Sequence, residues 1–536
     1  MTAKRATTLA AGAAALSWCL AAAAEVPRQV TGIQASHRAG QTFITFKEAA
    51  PLVTAEKVTW GEINKALAQA EDPVRYRIYA HDKPISAASI AAAELLGEVG
   101  PMSGYNLNGR NTEYLIAQAM IKPDKMGELT TGYNGFIYRW HMNHPRMDRY
   151  PIDRFVIDTK AGALKPGTGL FVAHPAKAGR RYYAVVSCRA GEANLKDFSP
   201  GNALARPLAE TPGPGEPVCQ GDGLWGPYFD YPGRRQVYVQ WTAPPLSPRP
   251  MYFNWSVLVP PGVEKAAPVE LYFHGGSYTY AKPNAKFMAG SIQIAPHDYP
   301  FSGWYGYHEA FGGSEPLSDG MVHNHTQRRI IAFLDWAQKK FPIDPDRIIP
   351  IGGDGAAMIA MSYPRRFAYV MVTGFESRLL DRRSAGRFKA AWGPKDPGIT
   401  DEAGRGDWGW GELDKVVLAT RGKDLPLFVC KGGSWGRVKG WGMGRGRLYS
   451  AMHQARQPLY AHWAWGGKLA PPDRYTQLWR GLDIRRTTPV PAFANSSLDK
   501  EGRGTGTPTP CMAGRTSRTC PAGSRSPSPA GRAPST

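Results

Sequence analysis

The chain has 536 residues, 43% of them hydrophobic and 20% charged, which excludes a globally disordered protein and leaves room for two or three domains. Its net charge is +21, yet the excess Lys and Arg is scattered over loop-like stretches such as "RRSAGR", "TRGK" and "WGRVKGWGMGRGR". A nucleic-acid binder gathers its basic residues on one face or helix, so a generally basic protein with no nucleic-acid partner is expected.

Residues 1–24 have the form of a secretory signal. Lys4 and Arg5 are followed by a short apolar run from Leu9 to Leu20, and Ala22-Ala23-Ala24 supplies small residues for cleavage before Glu25. The apolar run is too short to span a bilayer, so no transmembrane segment is expected. A lipoprotein signal at Cys19 is the alternative, disfavoured by Trp18 where a small residue belongs. Export implies a secreted or periplasmic protein. It also permits a Cys188–Cys219 disulfide, although spacing alone cannot fix pairing. His141 and His144 in "HMNH" have no further ligands nearby, so neither a metal nor a cofactor is expected.

Residues 25–208 read as short alternating strands. "VTGIQASHRAGQTFITFKEA" gives two strands, "VRYRIYAHDKPIS" a third, and the stretch from Gly169 to Leu208 two more joined by "RAGEAN". "YRIYAHDKPI", "AGRRYYAVVSC" and "DFSPGN" resemble strands of a fibronectin type III domain, which implies an all-β sandwich. The segment is nearly twice the usual length of that module, and the excess lies around 103–158, an insertion rich in aromatics and arginine. Residues 209–217, with "ETPGPGEP", form a linker that suits neither helix nor central strand.

From 218 to 496 the pattern changes class. "RRQVYVQWTAPP" and "MYFNWSVLVPPG" read as an antiparallel pair; "PVELYFHGG", "SIQIAPHDY", "DPDRIIPIGG", "AYVMVTG", "LPLFVCKGG" and "PLYAHWAWGG" are further strands. "HTQRRIIAFLDWAQKKF", "RGRLYSAMHQARQ" and "DRYTQLWRGL" have helical apolar spacing. Strands alternating with helices imply a mostly parallel sheet with helices on both faces. Residues 497–536 are almost free of apolar side chains and are expected to be disordered. A one-nucleotide shift can turn "GTGTPTP" into Gly-Asn-Gly-Asp-Pro-Asp-Pro, so a frameshift after about Lys500 is expected.

"LYFHGGS" and "IDPDRIIPIGGDGAAM", followed by "YPRRFAYVMV", resemble the oxyanion loop and nucleophile elbow of the α/β-hydrolase superfamily. The nearest kind is the secreted polyhydroxybutyrate-depolymerase-like and feruloyl-esterase-like esterases. The resemblance implies a Ser-His-Asp triad and backbone oxyanion donors. Carried over, the donors are Gly275, Gly276 and Gly355, the nucleophile position is Asp354, the acid position is Trp435, and the histidine position is Lys468. All three triad positions are altered. The resemblance further implies a cleft lined by His274, Ser277, Trp304, Tyr305, Tyr307 and His308, near His297 and Asp298. It makes "KAAWGPKDPG" (Lys389 to Gly398) a structural loop. Two functions follow: an inactive esterase scaffold binding an extracellular ester, polymer or glycan, or a hydrolase using Asp354 as nucleophile, for which Lys468 is a poor base while protonated.

Overall fold

The structure is a computed structural model that describes residues 26–107, 152–222, 234–275, 280, 288, 290–373, 388–431, 445–462 and 483–490. The signal stretch, most of the 103–158 insertion and residues 491–536 lie outside them.

Among the described residues, seven strands carry the two main sheets of the N-terminal region, beside short strands at Val156–Asp158, Gly162–Ala163 and Glu192–Ala193: β1 (Thr31–Arg38), β2 (Gln41–Lys47), β3 (Arg75–His81), β4 (Glu94–Val99), β5 (Thr168–Ala173), β6 (Gly179–Arg189) and β7 (Leu208–Glu210). They form one sheet of order β1-β2-β5 and another of order β7-β6-β3-β4, with antiparallel neighbours throughout. The alternation in β3 explains its burial: Tyr76, Ile78 and Ala80 are fully buried while Arg75 reaches solvent. Those residues share a core with Ile44 and Phe46 of β2 and with Val185 of β6, so the two sheets close on one another.

Three local expectations change here. Residues 174–178 separate β5 from β6, whereas "RAGEAN" forms the turn by which Glu192–Ala193 pairs back on β6. A helix, α1 (Trp60–Gln69), interrupts the strands; its start is written in the Thr59–Glu62 capping box, in which Glu62 accepts the Thr59 N–H and Thr59 accepts the Glu62 N–H. Cys188 and Cys219 both carry free thiols, so the pairing that export would allow is not made.

The segment from 211 to 217 is tied down rather than hanging free. Gly215 N–H donates to Ala39 C=O at 3.0 Å, and Glu216 N–H donates to Gln41 Oε1 at 3.3 Å. A β-carbon on Gly40, whose φ is +84°, would lie 2.3 Å from Gly213 Cα, so glycine is required where the strap crosses the turn. The opposite face of β2 and β5 then meets the C-terminal sheet: Phe43 and Phe155 pack edge-on against Trp241 at 5.4 and 5.3 Å.

The C-terminal sheet has nine strands: β8 (Val218–Asp222), β9 (Arg234–Thr242), β10 (Met251–Val259), β11 (Ala267–Phe273), β12 (Ile292–Pro296), β13 (Ile343–Gly352), β14 (Tyr369–Thr373), β15 (Leu427–Lys431) and β16 (Leu459–His462). Their order is β8-β9-β10-β12-β11-β13-β14-β15-β16. Pairing is antiparallel from β8 to β12 and parallel from β12 onward. This is the mostly parallel sheet that the alternating pattern implied. Leu271, Phe273 and Ile348 point to one face, under α2 (His325–Lys340), α3 (Asp354–Ser362) and α4 (Arg445–Gln454). Tyr272, Ile349 and Ile351 point to the other, where Ile484 and Val490 cover them. Among the described residues the helices lie on the first of these faces; the expected helix "DRYTQLWRGL" (473–482) is outside them.

Candidate functional site

The chain leaves β11, moves to β12 on one side, and later returns to β13 on the other side of β11. Such a reversal opens a crevice beyond the carboxyl ends of parallel strands, where loops diverge and ligands can enter. Register places three loops there together. Phe273 pairs with Gly352, so His274-Gly275 and Gly353-Asp354 leave the sheet side by side. Leu271 pairs with Ile294, which brings His297-Asp298 level with them. The His274 and His297 rings are 5.5 Å apart.

The turn from β13 into α3 is sharp. Gly352 has φ +149°, and a β-carbon there would lie 2.4 Å from the Phe273 carbonyl oxygen. A side chain would have to displace the adjacent strand, so glycine is enforced. Asp354 is the first residue of α3 and is buried, with Gly355, Ala356 and Ala357 buried behind it. A carboxylate at a helix N-terminus faces exposed N–H groups and the positive end of the dipole.

Around this turn runs a closed ring of hydrogen bonds. Asp298 N–H donates to His274 Nε2 at 3.1 Å, so Nε2 is the unprotonated nitrogen and Nδ1 carries the hydrogen, directed at the Gly275 carbonyl at 2.9 Å. The Asp298 carboxylate accepts from Ser302 N–H at 3.0 Å, from the Ser302 hydroxyl, and from Trp304 N–H at 3.2 Å. The Trp304 indole N–H then donates to the His274 carbonyl at 3.3 Å, closing the ring. Because Ser302 gives its proton to Asp298, its oxygen accepts from Thr326, 2.7 Å away.

Burial governs the protonation states. It pushes His274 down to about 4, against the opposing pull of the Gly275 carbonyl, so the imidazole is neutral near pH 7. It pushes His297 well below the ordinary histidine range, with His274 and the Arg329 guanidinium adding to the effect. Burial raises Asp298 to about 6, opposed by its Ser302 bonds and by Arg329. Arg329 is itself buried on α2, its guanidinium 3.3 Å from the centre of the Phe253 ring. His274 thus has both ring nitrogens committed and cannot take a proton from a neighbour without breaking the ring.

Of the aromatic residues expected to line a cleft, only Trp304 is placed against the turn. A β-carbon on Gly355 would meet Trp304 Cγ at 2.4 Å, so glycine at 355 admits the indole. Tyr305 is buried, donates to Asp401 at 2.8 Å and stacks on Trp410 at 5.6 Å. Tyr307 and His308 are fully buried; Tyr307 donates to the Pro300 carbonyl, and His308 Nδ1 accepts from Ala310 N–H at 3.1 Å. All three side chains are buried. Gly275 and Gly355 flank the turn, whereas Gly276, Ser277, Trp435 and Lys468 lie outside the described residues, as do His141 and His144. His453 is exposed on α4. Among the described residues no cluster of His, Cys, Asp or Glu is arranged to hold a metal, and no helix is long and apolar enough to cross a membrane.

Sequence reading missed Ser302, Thr326 and Arg329 as partners in this region. "DYPFSGW" carries a local signal, since an Asp followed at four and six residues by Ser and Trp in a Gly-containing loop suits a side chain capping its own turn. Arg329 carries no such signal: it precedes Ile330 and Ile331 on a helix and reads as surface.

No family model matches the chain, and no curated protein matches it. Solved structures that resemble it are esterases and hydrolases, each spanning about half the chain. An S-formylglutathione hydrolase from Agrobacterium tumefaciens is 16% identical over 49% of this chain and 95% of its own, with a TM-score of 0.35. A glucuronoyl esterase from Teredinibacter turnerae is 14% identical over 46% of this chain and 67% of its own, with a TM-score of 0.32. Fungal esterase from Rhizomucor miehei is 14% identical over 45% of this chain and 80% of its own, with a TM-score of 0.29. These are likenesses of shape at low identity.

Proposed function

We propose that this chain is an exported, esterase-related protein of α/β-hydrolase type that no longer hydrolyses esters and instead binds an extracellular ester, polymer or glycan. In this reading the N-terminal region is a fibronectin type III-like module carrying an insertion. The observation that carries the reading is the state of His274. It is the imidazole whose loop leaves the sheet beside Asp354, yet both its nitrogens are engaged and burial holds it neutral. A carboxylate that takes an acyl group from an ester becomes a mixed anhydride, and one that takes an alkyl group becomes an ester; water must release either adduct, and without a free base to activate that water turnover is not sustained. The replacement of all three triad positions, Asp354, Trp435 and Lys468, supports the same reading.

A second reading keeps Asp354 as a nucleophile, favoured by its burial at the start of α3 on a turn that glycine makes possible. Steady-state assays of the mature protein on p-nitrophenyl acetate and butyrate test the first reading. The expected result is no turnover above buffer, together with retention of the protein on an insoluble ester polymer or polysaccharide. Saturable turnover abolished by Asp354→Asn would replace it with the second.

A further inference from the structure

We propose that Asp298 is a positioning residue whose carboxylate, by closing the hydrogen-bonded ring through Ser302, Trp304 and His274, wedges the Trp304 indole against Gly355 and so sets the entry of α3 and Asp354. This concerns the same turn but is independent of whether Asp354 reacts.

Backbone conformation is the first support. Gly303 and Trp304 both have φ near +60° (+62° and +61°), a region that is unfavourable for a bulky residue and persists only when its surroundings enforce it. The enforcing group is the Asp298 carboxylate: Oδ1 accepts from the Ser302 N–H and hydroxyl, and Oδ2 accepts from the Trp304 N–H. The seven-residue loop is therefore drawn around one carboxylate. Packing is the second support. The drawn-in indole stands edge-on to Phe273 at 4.9 Å and to the His274 ring at 4.8 Å, with Gly355 against its Cγ–Cδ1 edge. Phe273 ends β11 and Gly355 is the second residue of α3, the two elements whose juxtaposition defines the site, so Trp304 is a spacer between them.

The ring is also asymmetric toward protons. Asp298 is faced by the neutral His274 just beyond β11, by Arg329 from α2 and by Tyr307, with His297 beside it in the loop after β12. As a carboxylate it offers acceptors to all three donors; once protonated, one oxygen turns donor and opposes a backbone N–H. The wedge should therefore loosen as pH falls through about 6, whereas His274 stays neutral until about 4.

The test is site-resolved amide exchange on the full chain, corrected for intrinsic rates, comparing Asp298→Asn and Gly355→Ala with wild type from pH 5 to 7.5. In D298N the new amide directs N–H at a buried N–H, and about tenfold faster exchange is expected in peptides covering 302–305 and 353–357, with β1 to β6 unchanged. Wild type should show a step in these peptides near pH 6 that D298N lacks. Gly355→Ala should speed the same peptides from the other side, and the double variant should add nothing further there. Unchanged exchange at 353–357 in D298N, a uniform rise across the domain, or additive effects would overturn the proposal. Should D298N not fold, G355A with Ser302→Ala carries the same comparison, and independent effects in the two segments would overturn it.

Discussion

Two buried acids, one in each region, show how differently the chain treats a carboxyl group removed from water. Glu48, in the N-terminal region, accepts one backbone N–H, from Met102 at 2.7 Å, and burial pushes it up to about 7. Asp298, at the crevice, accepts from two backbone N–H groups and a hydroxyl, and burial raises it to about 6. Desolvation disfavours both anions, and hydrogen bonds to the charged form recover part of that cost. Glu48 can be neutral at pH 7, so its role is compatible with a protonated acid. Asp298 is charged at pH 7 because a loop has been folded around it. A carboxyl group serving only packing needs few donors; one that shapes a loop gathers several.

The largest effect expected from breaking this contrast is at Asp298. Asp298→Ala leaves two backbone N–H groups buried without an acceptor, at about 1–3 kcal/mol each, so chemical denaturation should show a loss of about 3 kcal/mol or more. A loss below 1 kcal/mol would mean that the loop finds other acceptors. Next comes Glu48→Gln. A folded-state pKa raised to about 7 means that the stability associated with the protonated acid is present below about 4.5 and lost as pH rises through 7. E48Q should therefore match wild type near pH 5 and exceed it by on the order of 2–3 kcal/mol at pH 8. Histidines pull the other way. His274 and His325 are lowered to about 4 and about 3, so their contribution is present above about 6.5 and declines as pH falls. In E48Q the stability–pH curve should consequently rise more steadily from pH 5 to 8. Smaller again is Tyr305→Phe, which removes one of several donors to Asp401 and should cost about 1–1.5 kcal/mol because Arg405 remains bound there. The smallest expected effect is Thr59→Ala, about 1 kcal/mol from an exposed capping box. It should appear in helical circular dichroism before it appears in global unfolding.

What could be read in advance divides along the same line. Apolar periodicity and glycine punctuation were enough for β1 to β3, for the β9–β10 antiparallel pair, for α2, and for the strand–turn–helix at Gly352 to Ala357. In each, a local rule of backbone or burial dictates the residues. α1 was passed over because Trp60 to Gln69 sits among strands, although Thr59 and Glu62 announce its start. The aromatic run from Trp304 to His308 was ambiguous, since a stretch rich in rings reads equally as ligand wall or as core, and only packing separates the two. The ring joining His274, Asp298 and Trp304 was the least legible. Its members lie at the ends of two strands and on one loop, and nothing in their spacing reveals that β11 and β12 would be neighbours.

In the proposed reading Asp354 occupies a nucleophile's place, and His274 beside it is engaged and offers no free base. That reading is tested most directly by incubating the mature protein with p-nitrophenyl butyrate in ¹⁸O-labelled water and reading the Asp354 peptide by mass spectrometry. The prediction is an unmodified peptide with no ¹⁸O in the Asp354 carboxylate after many hours. Label in that carboxylate, or an acylated peptide, would contradict it: either requires Asp354 to take the butyryl group as a mixed anhydride with release of p-nitrophenolate, and the label further requires water to open that anhydride at the Asp354 carbonyl.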